Sequence, residues 1–111
     1  QLFLFFVHDE YTKMYRKMLT IEQFRKPELA AEFSKKYYDE AIAYQKNLFA
    51  MLAEKGNFIA ADYEIMAVHF YGPIYTMITI CDRQPQREQE VLDLLKRHIR
   101  QFVKIYSQGI K

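Results

Sequence analysis

Three histidines, one cysteine and two adjacent acidic pairs are the residues of this chain that could do chemistry. His8, His69 and His98 lie far apart, and none belongs to the Glu-x-x-His or His-x-x-x-His spacings of helical metal sites. The pairs Asp9-Glu10 and Asp39-Glu40 are neighbours in sequence, and neighbours on a helix do not share a face. No Gly-rich phosphate loop and no nucleophile beside a base stands out. The sequence therefore predicts no catalytic site, no metal and no cofactor, and gives a cofactor-bearing bundle enzyme no support.

Cys81 is the only cysteine, which excludes an intrachain disulfide and a cysteine-based zinc site. We expect it to be a small buried hydrophobe in an intracellular, cytoplasmic protein. The net charge of +2 gives no field typical of a nucleic-acid binder. Basic residues near the C-terminal end of the last helix complement its dipole instead. No apolar run reaches the roughly 20 residues that span a bilayer, so we expect no membrane partner.

Aromatic and methionine side chains are the candidates for binding a small molecule. The chain has nine Tyr, nine Phe and five Met, more than a core of this size usually needs, and such side chains suit adaptable pockets. The site would be apolar with Tyr hydroxyls as polar anchors, and no cluster of buried charge predicts a strongly ionic effector. The alternative, that each of these residues is simple core, stays open. The predicted ligand-binding residues are Met14, Met18, Phe24, Phe33, Tyr37, Tyr44, Phe70 and Met77.

Helices must position these residues, and Gly and Pro mark where the helices begin and end. Pro27 suits a first helical turn and Gly56 suits the position after a last one. Between them the 3.6-residue period predicts one long amphipathic helix. Its predicted inward stripe is Ala30, Phe33, Tyr37, Ala41, Tyr44, Leu48 and Met51, and a flanking row holds Ala31, Tyr38, Ile42 and Phe49.

The rest of the chain also has helical periodicity, and no segment alternates as a strand does. Further helices are predicted over about 2–7 and 9–24, from the N-cap Asp62 to about Cys81, and from Pro85 to near Gly109. The short link at 82–84 makes the last two helices antiparallel neighbours. The fold class is all-α with about five helices, and 1–111 form a single domain.

The last two helices have more apolar surface than one core can cover. The helix that contains Gly72 and Pro73 is apolar nearly all round, and a helix without a polar face is buried on both sides. We expect the final antiparallel pair to meet a copy of itself as a four-helix bundle across a two-fold axis. A larger monomeric core is the alternative. The predicted dimer-interface residues are Val68, Gly72, Tyr75, Thr76, Thr79, Leu94, His98 and Ile105.

From Tyr11 to Tyr106 the chain resembles the C-terminal effector-binding and dimerisation domain of TetR-family transcriptional regulators. The stretches that carry the resemblance are RKMLTIEQFRKPELA at 16–30, EKGNFIAADYEIMAVHFYGPIY at 54–75 and LKRHIRQFVKIY at 95–106. The resemblance implies a homodimer whose helical core takes a small apolar or aromatic effector. It also implies repression, in which the effector changes the angle between subunits and so the spacing of two DNA-reading helices.

One feature of that family is missing from the chain. The family carries an N-terminal helix-turn-helix domain, whereas this sequence opens on the apolar segment 2–7. We therefore expect the chain to be a fragment of a larger regulator, which would contact DNA only through the missing domain. A stand-alone helical protein that binds a small molecule without a DNA-linked role is the alternative.

Overall fold

The computed structural model describes residues 2–107, and these form an all-α fold. The helices are α1 (Leu2–His8), α2 (Glu10–Glu22), α3 (Pro27–Ser34), α4 (Glu40–Glu54), α5 (Tyr63–Arg83) and α6 (Glu88–Tyr106). A π-turn at Lys35–Asp39 joins α3 to α4 without a break, so the described residues form five helical rods, in agreement with the predicted number. The described part contains no strand, only an isolated antiparallel bridge between Phe58 and Ser107. None of its helices is long and apolar enough to cross a membrane.

Aspartate caps begin α2 and α5. Asp9 Oδ2 accepts a hydrogen bond from the Thr12 backbone N–H at 2.9 Å. Asp62 Oδ1 accepts hydrogen bonds from the N–H groups of Glu64 and Ile65 at 3.1 and 3.2 Å. Each carboxylate thereby pairs donors that have no partner within the helix. The predicted N-cap at Asp62 is confirmed.

Replacing Asp62 with Ala should lower the free energy of unfolding by about 1 kcal/mol, because both capped N–H groups lose their acceptor. Asp93→Ala is the matched control, since Asp93 lies within α6 and makes only an exposed ion pair with Arg97. The control should cost no more than about 0.5 kcal/mol. Urea unfolding followed by circular dichroism measures both losses. Equal losses would mean that the Asp62 cap contributes nothing specific.

Gly56 ends α4 as predicted. Its φ is +86°, a left-handed conformation that L side chains rarely adopt. The Gly56 N–H donates to the Ala53 carbonyl at 3.0 Å, and the Asn57 N–H donates to the Leu52 carbonyl at 2.9 Å. This pair of hydrogen bonds is the Schellman motif, which satisfies carbonyls at the end of a helix.

The π-turn changes which face of α4 points inward. At its end the Glu40 N–H donates to the Lys35 carbonyl, five residues back, so the turn holds one residue more than an α-turn. An extra residue rotates everything after it by about 100°. The predicted inward stripe is therefore right at Phe33 and Tyr37 and wrong beyond them. The side chains that pack into the core lie one position after the predicted ones. They are Ile42 after Ala41, Phe49 after Leu48, and Leu52 after Met51.

α5 is the central helix, and it runs unbroken through Gly72 and Pro73. Its core face contributes to two of the three apolar clusters and its flank to the third. Met77, Ile78 and Cys81 pack with α1 and α6, whereas Met66 and Ala67 pack with α4 and α6. Tyr75 packs against a third cluster formed by α2, α3 and the π-turn.

α6 lies antiparallel to α5, as predicted. His98 and Tyr106 contact Phe70 and His69 near the start of α5, while Val91 shares a cluster with residues near its end. The link differs from the prediction, because α5 extends to Arg83 and a 3₁₀ turn at Pro85–Arg87 precedes α6. The predicted end of the last helix near Gly109 lies outside the described residues.

Candidate functional site

A cleft of about 1160 Å³ opens between α2, the α3–α4 segment and the C-terminal half of α5. The turn from α5 to α6 closes one end of it. The exposed side of α2 contributes its rim, and Arg16 from the same helix contributes to its wall. Such a space is large enough for a small organic molecule.

Aromatic rings form the floor of this cleft. Phe33, Tyr38 and Tyr75 line it, with the Tyr38 and Tyr75 ring centroids 5.4 Å apart. Tyr37 lies behind them, 5.0 Å from the Phe33 ring and 6.2 Å from the Tyr75 ring. These separations are those of favourable aromatic pairs, so the floor is packed before any ligand enters.

A buried ion pair joins α2 to the end of α5 beside the floor. Arg16 is only 2% exposed. Its Nε and Nη2 atoms donate to the two carboxylate oxygens of Asp82 at 2.6 and 2.5 Å. This forked geometry fixes the orientation of the guanidinium. Arg16 is buried because α2 turns it towards α5 and not towards solvent, a position that the sequence analysis does not predict.

Of the eight predicted ligand-binding residues, three line the cleft. They are Met14, Phe24 and Phe33, and Tyr37 lies directly behind the last of them. Met14 and Phe24 are at the rim, 68% and 89% exposed, so their predicted place on an inward stripe is wrong. The stripe of α2 that faces the protein instead carries Arg16 and Leu19.

The other four predicted residues lie away from the cleft. Met18 is 48% exposed on α2, and Tyr44 is 67% exposed because the π-turn rotates it outward. Phe70 packs with Phe49 and Phe102. Met77 belongs to the cluster with α1. The prediction that these four residues share one pocket is wrong. The helix register exposes two of them, and the other two belong to separate clusters along α5.

Burial of tyrosines in this region should make the folded state less stable at alkaline pH. Burial, with Tyr38 and Tyr37 nearby, raises the pKa of Tyr71 from 10.0 to about 12, and burial raises the pKa of Tyr75 as well. A raised pKa in the folded state means that this stabilisation is complete below pH 10 and is lost as the pH rises towards about 12. We expect the protein to unfold in that pH window, and we expect the absorbance of tyrosinate to rise over the same window.

Tyr71→Phe should move this alkaline midpoint upward, because it removes one of the groups that must ionise. The matched control is Tyr11→Phe, since Tyr11 is 79% exposed on α2. The control should leave the midpoint unchanged. Circular dichroism and absorbance recorded against pH measure both, and equal behaviour of the two variants would contradict the assignment to buried tyrosine.

A second feature is the outer face of α5 and α6, where a groove of about 340 Å³ runs between the helices. His69 and Pro73 line it from α5, and His98 and Gln101 from α6. Several apolar side chains of α5 and α6 remain exposed in the protomer. They are Ile65 at 52%, Val68 at 46%, Leu94 at 38% and Ile105 at 56%.

Of the eight predicted interface residues, three line this groove, and they are Leu94, His98 and Ile105. Val68, Thr76, Leu94 and Ile105 are exposed, and Gly72 and His98 are partly so. A Cβ atom built on Gly72 would meet nothing within 4 Å in the protomer. The ring of Tyr75 and the side chain of Thr79 instead line the cleft, which corrects their predicted direction.

Both histidines of the outer face have hydrogen-bond partners. The Nε2 atom of His98 lies 2.9 Å from the Phe70 carbonyl, which only accepts, so Nε2 carries the proton. His69 Nδ1 lies 2.6 Å from the Tyr106 hydroxyl. Among residues 2–107, no group of three or more His, Cys, Asp or Glu side chains could hold a metal ion.

Comparison of the chain with protein-family models, with curated proteins and with solved structures finds no significant match. The site is therefore defined by its own geometry. Sequence reasoning missed Arg16, Asp82 and Tyr38 as cleft residues. An available signal was that Arg16 precedes Leu19 by three positions, and residues three apart on a helix share a face.

Proposed function

We propose that this chain is the effector-sensing and dimerisation domain of a TetR-like transcriptional repressor. A small apolar or aromatic molecule binds in the cleft of each protomer. The outer faces of α5 and α6 pair across a two-fold axis as a four-helix bundle. The effector changes that pairing, and a DNA-binding domain elsewhere in the parent protein reads the change as a different spacing of its two copies.

The observation that carries this proposal is the double role of α5. One side of the helix lines the cleft through Tyr75 and Thr79. Another side lines the outer groove through His69 and Pro73. Ile65 and Thr76 share that helix face and are exposed in the protomer. A rigid helix that contacts both sites can couple them. Coupling requires that the helix can take two positions and that the ligand binds more tightly when the helix is in one of them.

A stand-alone helical binding protein is the second candidate, and the open cleft favours it as strongly. The two candidates differ in what the parent protein contains and does. A regulator requires about 50–80 further residues with a helix-turn-helix pattern, and its dimer must bind DNA.

The test is to read the parent open reading frame upstream of Gln1 and to measure DNA binding by the parent protein. An upstream helix-turn-helix and a mobility shift with DNA from its own promoter support the regulator. An upstream frame without such a domain, or a parent protein that binds no promoter DNA, rejects it in favour of the stand-alone protein.

A further inference from the structure

Accessible basic side chains lie on two sides of the cleft. Lys13 and Lys17 line it from α2, where residues four apart share a helix face. Arg83 and Arg87 line it from the end of α5 and from the turn that follows. Lys17 and Arg83 are exposed, and the side chains of Lys13 and Arg87 keep 39% and 37% of their surface exposed. All four charged groups are therefore open to a molecule that enters the cleft.

The Arg16–Asp82 pair holds these two sides together. Its forked hydrogen bonds fix α2 against the end of α5. Lys17 follows Arg16 in the sequence and Arg83 follows Asp82, so the backbone of each exposed cation lies one residue, about 3.8 Å, from the pair. The two exposed cations are thus anchored on facing sides of one space by a buried contact.

The protein leaves much of this positive charge unbalanced. Lys17 and Arg83 form no ion pair with any residue of 2–107. Lys13 and Arg87 pair only with exposed glutamates three residues away, and such pairs contribute little. The carboxylate of Asp82, which also lines the cleft, is already paired. The electrostatic potential of the cleft therefore favours an anion.

The same cleft offers apolar surface to the body of a ligand. The π-turn presents Tyr38, which is 42% exposed, and Tyr75 beside it is half-buried. Both rings line the cleft, and the exposed side chains of Met14 and Phe24 form its rim. A flat aromatic body placed between these groups removes apolar surface from water and finds ring partners on the floor.

We propose that the cleft binds an aromatic phosphate ester, with its head group between Lys17 and Arg83 and its flat body against Tyr38 and Tyr75. A phosphate monoester carries about two negative charges near neutral pH and has three terminal oxygens, so it can accept hydrogen bonds from both sides of the cleft at once. A carboxylate has a single charge and balances less of the excess. This inference rests on the proposed ligand-sensing role and names its ligand class. It adds a charged head group to the apolar or aromatic effector that the sequence predicts.

The test compares three probes by protein-detected NMR titration of the full chain. They are 2-naphthyl phosphate, the neutral 2-naphthylmethanol and inorganic phosphate. We expect 2-naphthyl phosphate to bind at least about tenfold more tightly than either of the others, because only this probe uses the charges and the aromatic floor together. Its affinity should fall as NaCl is added, since salt screens exposed charges.

Matched variants assign the two parts of the site. Lys17→Met and Arg83→Met should each lower the affinity for 2-naphthyl phosphate about two- to fivefold and leave that for 2-naphthylmethanol unchanged. Lys46→Met is their control, since Lys46 is exposed on α4 and does not line the cleft. Tyr38→Ala should lower the affinity for 2-naphthyl phosphate several-fold and leave that for inorganic phosphate unchanged. Tyr44→Ala is its control, since Tyr44 is 67% exposed outside the cleft.

Equal affinity for 2-naphthyl phosphate and 2-naphthylmethanol overturns the inference, and so does inorganic phosphate that binds as tightly as the ester. A preference for the ester that survives both Lys17→Met and Arg83→Met also overturns it. The oligomeric state, measured on the same samples, keeps this result separate from the proposed function. A dimer whose cleft ignores the phosphate would overturn only the inference, and a monomer that prefers the ester would overturn only the dimeric regulator.

Discussion

Gly72→Leu should weaken the dimer by about 100-fold or more. Gly72 lies on the outer face of α5, where an added Cβ meets nothing within 4 Å. Within the protomer, a gain in helix propensity of up to about 1 kcal/mol is opposed by the clash between a Cβ atom at position 72 and the ring of Pro73. Across a close-packed seam a leucine side chain would hold the two helices apart, at a cost of about 3 kcal/mol. Sedimentation equilibrium gives the dissociation constant, and urea unfolding gives the stability.

Gly72→Ala is the matched control for this variant. It adds a Cβ atom before Pro73, as the leucine does, but with the smallest possible side chain. We expect its dimer to be weakened far less than that of Gly72→Leu. If Gly72→Leu forms a dimer as tight as the unmodified chain, the seam does not pass through Gly72, and our placement of the two-fold axis is wrong.

Breaking the Arg16–Asp82 pair should have the largest effect on protomer stability. Asp82→Leu leaves the guanidinium of Arg16 charged in a site where it is only 2% exposed. Leaving a buried charge without its partner costs about 3–5 kcal/mol. Arg16→Met should cost less, because the Asp82 side chain keeps 26% of its surface exposed and stays hydrated. Urea unfolding at one fixed protein concentration measures both losses.

The double substitution of Arg16→Met with Asp82→Leu is the control for these two. It replaces the pair with apolar side chains, and such replacements are often close to neutral. We expect it to recover most of the stability that Asp82→Leu loses. Single variants within about 0.5 kcal/mol of the unmodified protein would contradict this account, because that is how an exposed ion pair behaves.

The helical architecture could be predicted because its signals are local. Asp62 and Gly56 act at the ends of their helices through hydrogen bonds to residues two to five positions away. Proline and glycine at those ends leave few alternatives. The antiparallel placement of α5 and α6 follows from a link that is too short for any other arrangement.

The inward face beyond Tyr37 could not be predicted from a single helical period. The π-turn at Lys35–Asp39 adds one residue, and nothing in its sequence marks it. A regular helix would have buried Tyr44, which the structure leaves 67% exposed. The flanking row that holds Ile42 and Phe49 was the signal of the shifted register, since those residues enter the core.

The Arg16–Asp82 pair could not be predicted because it joins residues 66 positions apart. Local pattern assigns a charged residue on an amphipathic helix to the solvent face. Only the packing of α2 against α5 buries the guanidinium. Composition and helical periodicity carry no sign of this tertiary contact.

The central claim is that the outer face of α5 and α6 pairs with a second copy of the chain. Sedimentation equilibrium of the unmodified protein at tens of micromolar tests it most directly. The account predicts a mass of twice the 13.4 kDa protomer. A single 13.4 kDa species across that concentration range would contradict it, and with it the four-helix bundle and the relay from cleft to seam.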